Sequence, residues 1–307
     1  MRSAALALLA ALGDEQRALA AQPFGADTAR RWLEYRPRGR PGASIARMSE
    51  TPRKAAHRLL ATGLSEHAYA QAMSIIALEE VLDRQERWRR GRHSNDYWVN
   101  VFGDPAGDAP WSWRFEGHHL SVTMTVAGDQ VSPAPVFFGA NPACVSYAGR
   151  PVSRPLAPEE DVAQALIGAM DLAERDLAVV ARQPPRDIRS GTSPRARAGI
   201  EPLGVASGQL GSGARAVLGE LVTVYLDRLP AGLAAREATR LTGAELHFAW
   251  EGPVRSSARH YYRVQGDDLL IEYDTTADGN HAHTVLRRPR SDFGDDVLAE
   301  HYRRAHS

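Results

Sequence analysis

The sequence predicts an α+β fold: an antiparallel sheet built from two pseudo-repeated hairpin units and packed with helices. Two observations carry this expectation. Strand-like and helical blocks alternate along the chain without a regular βαβ rhythm, which makes α+β the class. In addition, one eight-residue pattern occurs twice, about 150 residues apart. It reads Trp113-Arg114-Phe115-Glu116-Gly117-His118-His119-Leu120 and then Tyr262-Arg263-Val264-Gln265-Gly266-Asp267-Asp268-Leu269. Each copy continues through alternating residues to a turn signal and a return strand. The turns are Ala127-Gly128-Asp129-Gln130 and Thr276-Ala277-Asp278-Gly279. The motif glycine reads as a bulge or bend.

Taken in order, the first element is an amphipathic helix marked by Leu6, Leu9, Leu12 and Leu19 at helical spacing. Thr51-Pro52 starts a helix that runs through Leu59-Leu60-Ala61 to Gly63. Ser65 caps the next, whose Tyr69, Met73, Ile76, Leu78, Val81 and Leu82 form one apolar face. The basic run Arg84, Arg87, Arg89, Arg90 and Arg92 reads as its solvated end. Residues 95–139 turn to strands, and 158–181 read as one strong helix with Glu159, Glu160 and Asp161 in its first turn. Arg182 to Leu203, rich in Pro, Gly, Arg and Ser, reads as a long surface loop. Helices over 214–229 and 231–241 follow, then strands over 247–288, a turn at Asp292-Phe293-Gly294 and a closing helix. The organisation is an N-terminal helical segment (1–94), a first hairpin unit (95–150), a helical insertion (151–246) and a second hairpin unit with the closing helix (247–307). Together they are expected to form one compact domain.

Composition narrows the function classes. Lys+Arg and Asp+Glu both total 37, so no global field steers nucleic acid or an anionic membrane toward the chain. One cysteine, Cys144, excludes an intramolecular disulfide and a Cys-based metal cluster, and it lacks a basic neighbour to activate it. The N-terminal apolar stretch resembles a signal-peptide core, but Asp14-Glu15-Gln16-Arg17 places charges where cleavage needs neutrality. The expectation is a cytoplasmic protein with no membrane-spanning segment and a small-molecule substrate; the oligomeric state is left open. There is no phosphate-binding Gly-rich Lys-Ser/Thr loop, nucleophile elbow, His-Glu-x-x-His or dinucleotide fingerprint.

The second copy of the motif carries the chemistry. If Thr276–Gly279 is a four-residue turn, Asp274 faces His281 and Glu272 faces His283, all four on one face. Two imidazoles and two carboxylates could hold a divalent transition metal (Fe, Cu or Zn) with an open position for water or substrate. Alternatively, they are ordinary cross-strand pairs. His118 and His119 are expected on opposite strand faces, His118 toward the core, and either could supply a further ligand or a general base. A buried structural role suits His118 equally well. Arg114 and Arg263 could clamp a carboxylate, although pairing with Glu116 or other sheet acids is the preferred reading. His301, on the closing helix, reads as solvated.

These residues also carry a resemblance to a bacterial family, domain-of-unknown-function family 3500. The matching words are Tyr97-Trp98-Val99-Asn100-Val101-Phe102-Gly103, the first motif copy, Phe137-Phe138-Gly139-Ala140-Asn141-Pro142, His260-Tyr261-Tyr262-Arg263, Leu270-Ile271-Glu272-Tyr273-Asp274, Asn280-His281-Ala282-His283, and Asp292-Phe293-Gly294 through His301-Tyr302. The resemblance spans nearly the whole chain but implies no activity. It does imply that many relatives are exported with signals used for prefolded proteins, which suits a metalloprotein.

The leading expectation is therefore a metal-dependent enzyme acting on a small molecule, an oxidoreductase or oxygenase ahead of a hydrolase. Its competitor is a non-catalytic binding protein whose cleft is lined by Trp98, Trp111, Trp113 and Trp250, with Arg114 and Arg263 reading an anionic ligand.

Overall fold

Along the strand Trp111–Gly117, Trp111, Trp113 and Phe115 alternate with Ser112, Arg114 and Glu116, and both sets are buried. A strand covered on both faces keeps its period of two while losing its solvated side. The computed structural model describes residues 1–37, 39–254, 259–275 and 279–305. It divides the chain into two compact units, Met1–Phe137 with Thr192–Pro194 and Arg290–Ser307, and Phe138–Gly191 with Arg195–Pro289. Each combines helices with mostly antiparallel strands. Among the described residues, no helix is long and apolar enough to cross a membrane.

In the first unit, the strands Tyr97–Phe102, Trp111–Gly117, Leu120–Ala127 and Gln130–Ser132 pair antiparallel in chain order. Two joints are two-residue hairpins. Ala127 faces Gln130 across Gly128-Asp129, with Gly128 at φ 62, where a glycine carries no steric cost. Gly117 faces Leu120 across His118-His119. This corrects the expectation of a bulged strand with the two histidines on opposite faces: they are the turn, and His119 takes a left-handed φ of 61. The motif glycine also has a packing cause, since a Cβ at Gly117 would lie 2.2 Å from the Tyr97 ring. On the apolar face the Phe115 ring lies 5.6 Å from that of His57 on the helix Glu50–Thr62, and Leu120–Ala127 meets the helix Glu66–Gln85, which Ser65 caps by accepting from the Ala68 N–H. On the opposite face Arg114 donates to the carbonyls of Ala29 and Arg30, so buried polar groups find backbone partners there.

In the second unit, His247–Glu251, Tyr261–Gly266, Leu269–Thr275 and Ala282–Arg287 pair antiparallel, and Val179–Ala181 joins the first of these in parallel. Gly266 faces Leu269 across Asp267-Asp268. The helix expected over 158–181 is two, Ala157–Ala169 and Leu172–Ala178. Met170 turns extended, and Asp171 with Glu174 forms a capping box that starts the second helix. A buried hydroxyl chain ties helix to sheet: Thr284 Oγ1 donates to Tyr225 Oη, which lies 2.7 Å from Tyr262 Oη, and Tyr262 donates to the Glu159 carbonyl.

Candidate metal centre

Side-chain parity places Glu272, Asp274 and His283 on one face of the second unit's sheet. The register differs from the expected one. Asp274 faces His283, and Glu272 faces Val285. The connection is therefore longer by two residues than a four-residue turn allows, and Thr276–Asp278 of that turn lie outside the described residues. A two-residue slip preserves parity, so the face survives, whereas one residue would have reversed it. His281 precedes the strand, with its Nε2 3.0 Å from that of His283 and the ring planes at 82°.

His283 is oriented from behind. Its Nδ1 lies 2.8 Å from Asp187 Oδ1 and 3.6 Å from Asp274 Oδ1. Donor atoms of Asp187, Asp274 and His283 all fall within 4.8 Å of one another, a spacing that could hold a metal ion. Asp274 is fully buried, and neither of its oxygens has a hydrogen-bond partner among the described residues. Burial holds its pKa well above the usual carboxylate range, and the nearby Asp187 and Glu272 push the same way. Excess buried negative charge of this kind is relieved by a proton or by a cation.

Glu272 stands apart from this group. Its carboxylate accepts from the backbone N–H of Arg189 at 2.6 Å and of Ser190 at 3.2 Å, and from Tyr261 Oη at 2.9 Å. It anchors the 182–203 segment instead of offering a ligand, and burial raises its pKa against those bonds. Arg189 adds a two-pronged pair with Glu251. The expected surface loop is thus strapped onto the sheet, and the strap delivers Asp187. That residue went unread in the sequence: it lies in a stretch without periodicity, and only the tertiary anchoring at Glu272 brings it to His283.

The remaining candidates lie as follows. Arg263 is fully buried, with Nη1 2.7 Å from Glu251 Oε1 and Nη2 on the carbonyls of Ile200 and Pro202. Arg114 is equally buried and paired with Glu116 at 2.8 Å. Both therefore brace the sheet. Trp111, Trp113 and Trp250 are buried to within 1% and cannot line a cleft, unlike the half-buried Trp98. In the first unit the rings of His118 and His119 stack at 3.6 Å. His118 Nδ1 engages Glu79 at very short range and lies 3.4 Å from Arg92 Nη1. Glu79, His118 and His119 form a second group with donor atoms close enough to hold an ion. Arg92, expected in solvent, is 8% exposed because Glu86 and Glu79 draw it in. His301 sits half-buried on the helix Asp295–Ala305.

The profile of a family described as "protein of unknown function (DUF3500)" matches residues 1–295. No curated protein and no solved structure matches the chain.

Proposed function

The chain belongs to this family of unknown function, and we propose, from the geometry of its second unit, that it is a divalent-metal-dependent enzyme acting on a small molecule. The observation that carries this is His283: its Nδ1 is held by Asp187 while its Nε2 meets that of His281. A ligating histidine characteristically donates its other ring N–H to a carboxylate, which fixes the tautomer and leaves a lone pair for the metal. Two nitrogens about 2.1 Å from a cation and at right angles to it are about 3.0 Å apart, the separation found here. In this reading His281 and His283 are the ligands, Asp187 and Asp274 orient and neutralise, and Glu272 positions the strap. A bound Fe, Cu or Zn would act as a Lewis acid or redox centre with open positions for water and substrate. Oxidoreductase chemistry with Fe or Cu is placed ahead of Zn hydrolysis.

The matched hairpins, Gly117 facing Leu120 and Gly266 facing Leu269, support a duplicated frame whose second copy carries the His281, His283, Asp187 and Asp274 group. The runner-up, a non-catalytic ligand-binding protein, draws support from Trp98, which stands over a cleft in the first unit.

Elemental analysis of protein purified without chelator tests the proposal. One transition metal per chain is expected, with His281→Ala and His283→Ala each losing it while circular dichroism stays native. Asp187→Asn should weaken affinity about 10–100-fold. Iron or copper supports the oxidoreductase; zinc moves the reading to a hydrolase. Absence of stoichiometric metal after supply of Fe, Cu, Zn and Mn ends it.

A further inference from the structure

The helix Glu66–Gln85 ends in a corner whose residue types the backbone does not favour. The Arg87 N–H donates to the Arg84 carbonyl at 3.0 Å and the Trp88 N–H to the Asp83 carbonyl at 2.8 Å. This bond pair marks a helix end that usually places glycine in the left-handed conformation. Here Arg87 and Trp88 both take it, at φ 58 and 59, where a bulky side chain meets a steric cost that glycine does not. The corner is closed at its root by Arg92, which is buried and donates to both Glu86 oxygens, at 2.8 and 3.1 Å.

Packing does not repay that cost. Trp88 is 63% exposed, and its indole has no hydrogen bond or ring contact among the described residues. From Arg84 to Gly91 only Glu86 is less than exposed. The guanidinium groups of Arg84 and Arg87 have no hydrogen bond or ion pair among the described residues. Arg89 Nε donates to the Glu86 carbonyl, a neutral acceptor that leaves its charge in place. The acids are engaged elsewhere: Glu86 pairs with Arg92 and Arg90, and the buried Asp83 and Glu79 act on Arg92. Glu80 accepts from the Ser94 N–H and faces His93 at 3.8 Å.

We propose that this corner docks the protein on an anionic lipid surface, with the Trp88 indole at headgroup level and Arg84, Arg87 and Arg89 against the lipid anions. An indole suits the membrane interface, and each arginine near an anionic leaflet adds attraction. The chain's zero net charge does not oppose this, because screening at physiological salt leaves only charges within about 8 Å of the surface in play. A small ligand needs walls that an exposed corner lacks. A nucleic-acid strand needs cations that track it over several nucleotides. A flat anionic surface needs neither. The corner uses none of His281, His283, Asp187 or Asp274, so it stands or falls independently of the metal centre.

Co-sedimentation of the full chain with lipid vesicles tests it. In about 0.1 M salt, phosphatidylcholine vesicles with about 30% phosphatidylserine should bind about tenfold more tightly than phosphatidylcholine alone. Arg84→Gln combined with Arg87→Gln should remove most of that preference. Trp88→Gly should weaken binding about tenfold yet melt no earlier than the wild type, since glycine fits the left-handed position. Phosphatidylcholine brominated in its acyl chains should quench part of the wild-type fluorescence and none of that left in Trp88→Gly. The proposal is overturned if the phosphatidylserine vesicles bind no better than phosphatidylcholine, or if Trp88→Gly binds as the wild type does. A lower Tm in Trp88→Gly would give the indole a role in the fold and overturn it too. So would tighter binding to a single-stranded oligothymidylate than to the phosphatidylserine vesicles.

Discussion

Glu116 is fully buried beside two guanidinium groups, with Arg114 Nε 2.8 Å away and Arg40 Nε at 3.8 Å. Burial still raises its pKa, against the pull of both arginines. A carboxyl whose pKa is raised by folding contributes stability in full below its unfolded value, near 4.5, and loses that contribution as the pH rises through the folded value. Glu116→Gln should therefore gain stability relative to the wild type between pH 5 and pH 8. Urea unfolding at the two pH values measures this, and a difference that does not change with pH would contradict it. At this scale, alternation alone placed Glu272, Asp274 and His283 on one face, because parity survives a two-residue change of register. It did not separate a ligand from an anchor, since the backbone N–H groups that occupy Glu272 come from residues more than 80 positions away. Asp187 had no local signal at all. Arg114 and Arg263 were legible as structural pairs because opposite charges lay at neighbouring sheet positions.

The two motif hairpins share their turn length but differ in what their glycines accommodate. A Cβ at Gly117 would lie 2.2–2.7 Å from three atoms of the Tyr97 ring, which is packed and rigid. At Gly266 the nearest atom, 2.9 Å away, is the flexible end of Leu246. Gly117→Ala should cost about 1–3 kcal/mol by overpacking, and Gly266→Ala distinctly less. Equal costs in chemical denaturation would show that a shared turn requirement, and not side-chain packing, governs both. Helix starts were legible where a capping residue preceded an apolar face, as at Ser65. The break at Met170 was not: apolar spacing runs on across it, and the capping box Asp171–Glu174 hides within an acid-rich helical composition. The turn at His118-His119 was missed for a related reason, because imidazoles are not the residues that ordinarily advertise a two-residue hairpin.

Both compact units are assembled from separated stretches of chain, and the first is completed by residues near the C-terminus. Phe293 is fully buried there. Its N–H donates to the Ala134 carbonyl at 2.9 Å, and its carbonyl accepts from Arg30 Nη1 and Thr125 Oγ1, both at 3.0 Å. Gly294, at φ 84, lies so close to Thr125 that a Cβ would come within 2.5 Å of it. Ending the chain before Arg290 should therefore strip hydrogen-exchange protection from Trp111–Gly117 and Leu120–Ala127 while Tyr261–Gly266 and Leu269–Thr275 keep theirs. Loss of protection across both units alike would refute that assignment. Interleaving of this sort is invisible to local pattern, since nothing in Asp292-Phe293-Gly294 announces which strand it will cover. It also sets an order of events during synthesis. A ribosome releases the chain from its N-terminus, so the first unit's strands emerge while Phe293 is still about 150 residues from being made. At about 5–20 residues per second that delay is roughly 8–30 s. The second unit has its last residue by Pro289, and so the part of the protein that is translated first is the last to close.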